Sequence, residues 1–255
     1  EFRRVLFRSG VGALGGPLVL SRLMAAGFTW RNAYFYIALF QFCLVFILII
    51  SLPLWKLPKT SLFKADSPQS GHKKPKKTSN FDLLKITGVP FALFSFVFYC
   101  GVEASMGLWG GSWLVEVRKL DAASAAFWVS TFFGGIALGR FLTGFLTRYI
   151  SNRNLIRGGV FAVGLAILCL ILPLPLPLTL AAFVFAGLGC APIFPCMIHE
   201  TPLRFGLENS QSIIGLQMAS AYVGITFLPP FFGLLSRLIS LSFLPLFLAI
   251  NALFL

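Results

Sequence analysis

Long apolar stretches separated by short polar or charged segments make up most of this 255-residue chain. A helix needs about 20 mostly apolar residues to cross the hydrocarbon core of a bilayer, so each such stretch predicts a membrane span. The fold class that we expect is all-α, a polytopic transmembrane helical bundle. About eight spans are predicted: residues 10–27, 32–55, 86–115, 122–147, two helices within 158–198, then 209–236 and 238–255.

Prolines divide the longest apolar stretch into two of these spans. Residues 158–198 contain no ionisable side chain other than three cysteine thiols, and forty-one residues are too many for one crossing. Proline lacks a backbone N–H and has a fixed φ, so Pro173, Pro175 and Pro177 suit a tight connection between helices.

Composition supports a membrane setting. Hydrophobic residues make up 57% of the chain and charged residues 11%, whereas a soluble domain carries roughly a quarter charged residues. The net charge of +13 would suggest nucleic acid in a soluble protein. Here the basic residues lie between apolar stretches, as in the cytoplasmic loops of membrane proteins. We therefore expect membrane lipid as a partner and no nucleic acid.

Eight lysines in residues 53–85 set the predicted orientation. Among Pro, Ser, Thr and Gly, they give this segment the composition of a solvated linker. If this linker is cytoplasmic, thirteen Lys and Arg lie inside and five outside, as the positive-inside rule requires. We expect a multi-pass protein of the plasma (cytoplasmic) membrane in which Arg140 snorkels to the interface. The lysine run could instead be a lipid-binding or regulatory patch.

Residues 1–9 are set apart from this topology. Their codons can match the end of a common sequencing adaptor, so we interpret them as a read-through artefact. The alternative is a genuine basic loop.

The predicted order is asymmetric, with two spans before the basic linker and six after it. This order is expected if the chain is the last eight helices of a twelve-helix transporter whose two six-helix halves are joined by a cytoplasmic linker. Gly12, Gly16 and Pro17 form a G-x-x-x-G-P pattern that resembles the fifth helix of many major facilitator superfamily transporters. The segment Gly139-Arg140-Phe141-Leu142-Thr143-Gly144, followed by Arg148, resembles the short cytoplasmic motif between paired helices of that superfamily. No Asp precedes Arg140, in contrast to the fuller motif, whose Asp forms a gating salt bridge.

The resemblance implies a domain plan for a chain truncated at both ends. Residues 10–52 would be the last two helices of the N-terminal half, and residues 86–255 a C-terminal six-helix half. Residues 99–103 are similar to the seventh helix of the fucose:proton symporter branch, and residues 187–195 to its tenth. This implies proton-driven sugar uptake by alternating access, with coupling carboxylates in first and fourth helices that this chain lacks.

Glu103 is the single charged residue in the stretch 86–115. A carboxylate within a span is costly, so we expect it to face protein or water and to bind a proton or substrate. Tyr99, Met106, Gly107 and Gly110 fall on the same helical face and make with it a sugar-facing strip. The alternative is a Glu103 that pairs with a neighbouring helix to lock packing.

Other polar and aromatic residues are secondary candidates. Trp109 and Trp113 could stack on a sugar ring or anchor the helix at the outer interface. Gln217 and Ser220 share a face and could bind substrate hydroxyl groups. Residues 199–210 are predicted to form a cytoplasmic loop in which Ser210 or Asn209 caps the next helix.

Glycine pairs at small-x-x-x-small spacing predict helix crossings. Such close contacts would suit helices that slide during a conformational change. Alternatively, they reflect only the general abundance of glycine in membrane helices. The pairs are Gly12/Gly16, Gly107/Gly111 and Gly135/Gly139.

Catalysis finds little support. The two histidines, His72 and His199, are far apart in sequence, and the five cysteines form no C-x-x-C pair. There is no phosphate-binding loop. We expect a monomer that is not an enzyme and has no cofactor or metal, and that moves a small polar solute, most simply a sugar with protons. The alternatives are another solute, a drug or an organic anion, or a non-transporting sensor or scaffold of the same fold.

Overall fold

The computed structural model describes residues 15–16, 18–51 and 80–255. This part of the chain contains helices and no strand, as predicted. Six helices, α1 and α3 to α7, are long and apolar enough to cross a membrane by length and composition. The helices are α1 (Trp30–Ser51), α2 (Asn80–Leu84), α3 (Val89–Glu116), α4 (Ala122–Leu146), α5 (Asn152–Ile171), α6 (Leu176–Phe205), α7 (Leu207–Leu238) and α8 (Leu244–Ala252).

Several predictions fall outside the described residues. These are the adaptor-like residues 1–9, Gly12 and Pro17 of the first motif, and most of the basic linker 53–85. Of the predicted first span, residues 18–25 are helical, and the Ser21 hydroxyl donates to the Ala123 carbonyl at 2.9 Å. This segment therefore contacts the start of α4.

The predicted connection at residues 173–177 is confirmed. Helix α5 ends at Ile171, and α6 begins at Leu176 with Pro175 as its N-cap residue and Pro177 in its first turn. Proline is tolerated in a first turn because the N–H groups there have no partner within the helix. The same residue type therefore ends one helix and starts the next.

The predicted loop at residues 199–210 is wrong. Helix α6 continues to Phe205, and Gly206 with φ of 83° separates it from α7, which starts at Leu207. A left-handed φ is inexpensive only for glycine, so one residue suffices for this break. The Ser210 hydroxyl donates to the Leu207 carbonyl within α7 instead of capping the helix.

The predicted eighth span begins later than expected. Residues 241–243 form a 3₁₀ turn, and α8 begins at Leu244. Helix α7 continues to Leu238, so the chain reverses over residues 239–243 before α8 begins.

The bundle is organised around α6, which packs against α4 and α5, while α3 packs against α7 and α8 contacts α3 and α5. The crossing of α4 and α6 occurs at the predicted pair Gly135/Gly139. A Cβ on Gly135 would lie 2.5 Å from the Val184 carbonyl oxygen, and one on Gly139 would lie 2.5 Å from the Ala191 Cβ. Only glycine allows these helices to approach so closely.

The predicted pair Gly107/Gly111 is not a backbone crossing. Gly107 lies beneath the Phe133 ring, and Gly111 is in ordinary contact with Val129, so side chains of α4 mediate both contacts. Gly16 has open space around its Cβ position.

Candidate functional site

Glu103 lies near the middle of α3 and faces Arg140 of α4, with Arg140 Nη2 3.8 Å from Glu103 Oε1. Counted from the connecting loop 117–121, the two residues are about 20 Å and about 27 Å along antiparallel helices, at 1.5 Å per residue. Side chains point toward the N-terminus of their own helix, so these two point toward one another. The two side chains thereby span the difference in depth between Glu103 and Arg140.

The prediction that Arg140 snorkels to the nearer interface is therefore wrong. The side chain of Arg140 is 14% exposed and that of Glu103 is 24% exposed. Because α4 starts at the opposite end of the bundle, the direction of the Cα–Cβ bond carries Arg140 inward. The sequence prediction considered only how far Arg140 lies from the end of the span. The direction of its side chain, toward the N-terminus of α4, would have predicted the pair with Glu103.

Tyr99 holds the other carboxyl oxygen, one turn earlier on α3. Tyr99 Oη lies 2.6 Å from Glu103 Oε2 and 2.9 Å from the Cys190 carbonyl oxygen of α6. Tyr99 is fully buried, and its hydrogen bond to the Cys190 carbonyl is buried as well. Three helices, α3, α4 and α6, therefore meet at one carboxyl group.

The phenol has one proton but two neighbouring acceptors. If Glu103 is ionised, Tyr99 can donate fully to the carboxylate or to the Cys190 carbonyl, but not to both. If Glu103 is protonated, it can donate to Tyr99 Oη while Tyr99 donates to Cys190, so these hydrogen-bonding groups are satisfied. When Glu103 is charged, Arg140 balances its charge. The hydrogen bonds therefore suit both protonation states of Glu103, whereas the ion pair with Arg140 exists only in the charged state.

Most of the predicted sugar-facing strip packs against neighbouring helices in the part of the chain that the structure describes. Tyr99, Met106 and Gly110 are buried, and a Cβ on Gly110 would lie 2.9 Å from the Phe183 ring. The strip faces α4 and α6, because Gly107 leaves room for the Phe133 ring of α4 and Gly110 for the Phe183 ring of α6. A role of this strip in sugar binding stays a prediction.

The two tryptophans are packing residues in this structure. Trp109 Nε1 donates to the Pro229 carbonyl of α7 at 2.9 Å, and its ring covers Gly233. Trp113 is 3% exposed, and the Arg118 guanidinium lies 5.6 Å from its ring centroid. Sugar stacking and interfacial anchoring by these tryptophans both stay predictions.

Gln217 lies apart from Glu103, beside a polar cavity of about 300 Å³. It is 1% exposed, and the Thr201 hydroxyl lies 2.9 Å from its carbonyl oxygen. Ser220 is half-buried one turn further along α7. A second ion pair, which sequence reasoning missed, borders this cavity: Arg153 Nε lies 3.2 Å from Glu200 Oε2.

The residues of the second motif lie at the end of α4 and just beyond it. Gly139 is at the crossing with α6, Arg140 is in the ion pair, and Gly144 accepts a hydrogen bond from the Thr147 hydroxyl at 3.2 Å. Arg148 is exposed. The motif thus combines a helix contact with an inward-pointing charge.

Comparison with known proteins agrees with the resemblance to major facilitator superfamily transporters. The family model described as Major Facilitator Superfamily matches residues 7–229. Two Helicobacter pylori proteins, from strains J99 / ATCC 700824 and ATCC 700392 / 26695, carry the name "Putative glucose/galactose transporter". They are 25% and 26% identical to this chain over 167 residues. The match covers 65% of this chain and 40% of each relative, so the chain spans well under half of their length.

Proposed function

The chain belongs to the major facilitator superfamily, and from that premise we propose that the complete gene product is a secondary active transporter that moves a sugar across the plasma membrane. The six membrane-length helices and the family make it a multi-pass membrane protein. A family of transporters favours transport over catalysis. Similarity to proteins named as glucose/galactose transporters supports a sugar as the solute.

The carboxyl group of Glu103 is the observation that carries the coupling part of this proposal. In a membrane bundle a charge is retained only where it is compensated and has a use. Glu103 has a compensating guanidinium on one oxygen and a phenol on the other. We infer that it takes up a proton and releases it during alternating access, since its carboxyl group can make the hydrogen bond to Tyr99 in both forms.

Uptake by cells that express the complete gene product tests the proposal. The measurement is accumulation of radiolabelled glucose or galactose, with and without a proton gradient. We expect accumulation against a gradient in the wild type and its loss in Glu103→Gln, which cannot exchange a proton. Exchange of labelled for unlabelled sugar, which needs no net proton movement, should persist in Glu103→Gln.

Glu116→Gln is the matched control, because it makes the same change at the exposed end of α3. It should accumulate sugar normally. Normal proton-dependent accumulation by Glu103→Gln would contradict the coupling role. Loss of exchange as well as accumulation would assign Glu103 to substrate binding or packing. Absence of any sugar transport by the wild type would favour another solute or the non-transporting alternative.

A further inference from the structure

A cavity separate from the one beside Gln217 lies at the end of the bundle where α3 and α5 end and α8 begins. Its volume is about 270 Å³. Its lining residues belong to the segments 113–118, 170–173 and 242–246, all within the described chain. Helix α8 runs away from this cavity, since Phe254, beyond its last residue, stacks on Phe98 of α3.

The N-terminal part of the described chain lies against another face of α3. There, Leu20 borders a different space together with Gly111 and Val115. Trp113 and Val117 follow these two residues of α3 by two positions, which places them about 200° further round the helix. The cavity therefore opens on the side of α3 that faces α5 and α8.

Two N–H groups of side chains that line the cavity have no acceptor. These are Trp113 Nε1 and Arg118 Nε, and both nitrogen atoms are buried. The Trp113 side chain packs against Phe183 and is 3% exposed. Arg118 donates through Nη2 to the Thr179 hydroxyl of α6. A buried donor without a partner costs free energy, which an acceptor in the cavity would recover.

The cavity carries a single positive charge. Among its lining residues in the described chain, Arg118 alone is ionisable. No acidic side chain of residues 15–16, 18–51 and 80–255 lies within ion-pair distance of this guanidinium. A monovalent anion would balance the charge. A cation on the same ligand would meet no carboxylate on the described cavity wall.

The cavity lies at the depth of lipid headgroups. Helix α5 has 20 residues, so it is about 30 Å long and matches the hydrocarbon core of a bilayer. Its last residue, Ile171, borders the cavity. From there an exposed apolar stripe runs back along α5, formed by Leu172, Leu168, Leu165 and Phe161. A lipid with its headgroup in the cavity would have a path for its acyl chains along this α5 stripe.

We propose that this cavity binds the phosphodiester group of an anionic phospholipid whose headgroup has no other charge, such as phosphatidylglycerol. The phosphodiester carries one negative charge, which Arg118 balances, and its two free oxygens accept from Arg118 Nε and Trp113 Nε1. Because both nitrogen atoms are buried, binding includes a shift of the half-buried Arg118 side chain that admits the phosphate. This site does not depend on the transport proposal.

Native mass spectrometry of the purified complete gene product in detergent tests the site, since it resolves the first bound lipid and gives its Kd. We expect phosphatidylglycerol to bind at least about tenfold more tightly than phosphatidylcholine with the same acyl chains, because the choline cation would lie beside Arg118 without a partner. Glycerophosphoglycerol, the same headgroup without acyl chains, should bind far more weakly than the lipid, because it buries no apolar surface on the α5 stripe.

Variants assign the binding to this cavity. Arg118→Gln should weaken the binding of phosphatidylglycerol about tenfold or more, as expected for loss of charged hydrogen bonds. Trp113→Phe removes the indole N–H and keeps an aromatic ring, so it should weaken binding about fivefold. Arg237→Gln is the matched control, because it removes an exposed arginine at the same end of the bundle, and it should leave binding unchanged.

Three outcomes would overturn the proposal. The two phospholipids could bind alike, or glycerophosphoglycerol could bind as tightly as phosphatidylglycerol, which would indicate a soluble ligand. Either cavity variant could bind phosphatidylglycerol as tightly as Arg237→Gln does. If Arg118→Gln does not fold, because its bond to Thr179 joins α3 and α6, the Trp113→Phe variant decides. Failure of sugar uptake would not affect these results.

Discussion

Glu103 and Arg140 differ in how each can respond to the loss of its partner. A buried charge without compensation destabilises a fold by several kcal/mol. A glutamate can avoid that cost by taking up a proton, and Tyr99 Oη is placed to accept a hydrogen bond from the protonated carboxyl group. An arginine stays charged under all ordinary conditions. Loss of Glu103 should therefore cost more stability than loss of Arg140, although both residues belong to the same ion pair.

This asymmetry predicts the outcome of a double-mutant cycle. Glu103→Gln leaves Arg140 as an unbalanced charge and should cost about 3–5 kcal/mol of stability. Arg140→Gln should cost clearly less, because Glu103 can become neutral. The double variant should be more stable than Glu103→Gln alone. Chemical denaturation of the purified protein in detergent would measure these free energies. Equal costs for the two single variants, with additive effects in the double, would rule out a coupled pair.

Sequence alone predicts part of this site. A lone carboxylate in an apolar span is conspicuous, so Glu103 and the shared face with Tyr99 were found. The partners of Glu103 come from helices far away in sequence, at Arg140 and the Cys190 carbonyl. A backbone carbonyl has no sequence signature, and an arginine near the end of a span is equally compatible with snorkelling. Only the packing of α3, α4 and α6 distinguishes these possibilities.

At the scale of the helix, α4 and α6 cross through glycine backbone. A Cβ on Gly135 would meet the Val184 carbonyl at 2.5 Å, whereas one on Gly164 of α5 would meet nothing within 4 Å. Gly135→Ala should therefore destabilise by about 1–3 kcal/mol, the usual cost of overpacking. Gly164→Ala should be neutral or stabilise by up to about 1 kcal/mol through helix propensity. Unfolding measurements that give the two variants the same stability would contradict the crossing.

The start of α4 depends on one side chain outside the spans. Asp121 is the N-cap residue, and its carboxylate accepts from the Ser124 backbone N–H at 2.9 Å. Hydrogen bonds from the Ser124 hydroxyl and backbone lower the pKa of Asp121 below its ordinary value. The charged form is thus favoured in the folded state, and the resulting stability is present at neutral pH.

This contribution should disappear in acid. It is complete above the unfolded pKa of about 3.9 and is lost as pH falls through the lower folded pKa. Asp121→Asn can still cap the helix but does not titrate. We expect Tm of the wild type to exceed that of Asp121→Asn at neutral pH, with the difference shrinking below about pH 4. A pH-independent difference between the two would show that the charge of Asp121 is irrelevant.

Element boundaries were predictable where one residue type fixes the backbone. Prolines 173–177 marked the turn before α6 correctly. The loop predicted after residue 198 was wrong because charged residues were read as a loop, although Glu200 is buried and paired with Arg153 on α5. The ion pair with Arg153 accommodates the charge of Glu200 within the helix. Gly206 was the better marker, since a positive φ is what ends α6.

For the whole molecule, the orientation is still a prediction, and it depends on the positive-inside rule. Consecutive long helices alternate in direction, so one end of the bundle carries the starts of α3, α5 and α7 and the ends of α4 and α6. The linker leads into α3 at this same end. Asn154, near the start of α5, should therefore lie on the same side of the membrane as Lys73 of the linker. Arg237, in the last turn of α7, should lie on the other side.

Labelling with a membrane-impermeant maleimide tests this arrangement. Four of the five native cysteines are buried or half-buried, and Cys43→Ser removes the exposed one. In that background, Arg237→Cys should react in intact cells, whereas Lys73→Cys and Asn154→Cys should react only in inside-out vesicles. The reverse pattern would invert the topology, and labelling of Lys73→Cys and Asn154→Cys on opposite sides would break the link between the linker and the bundle.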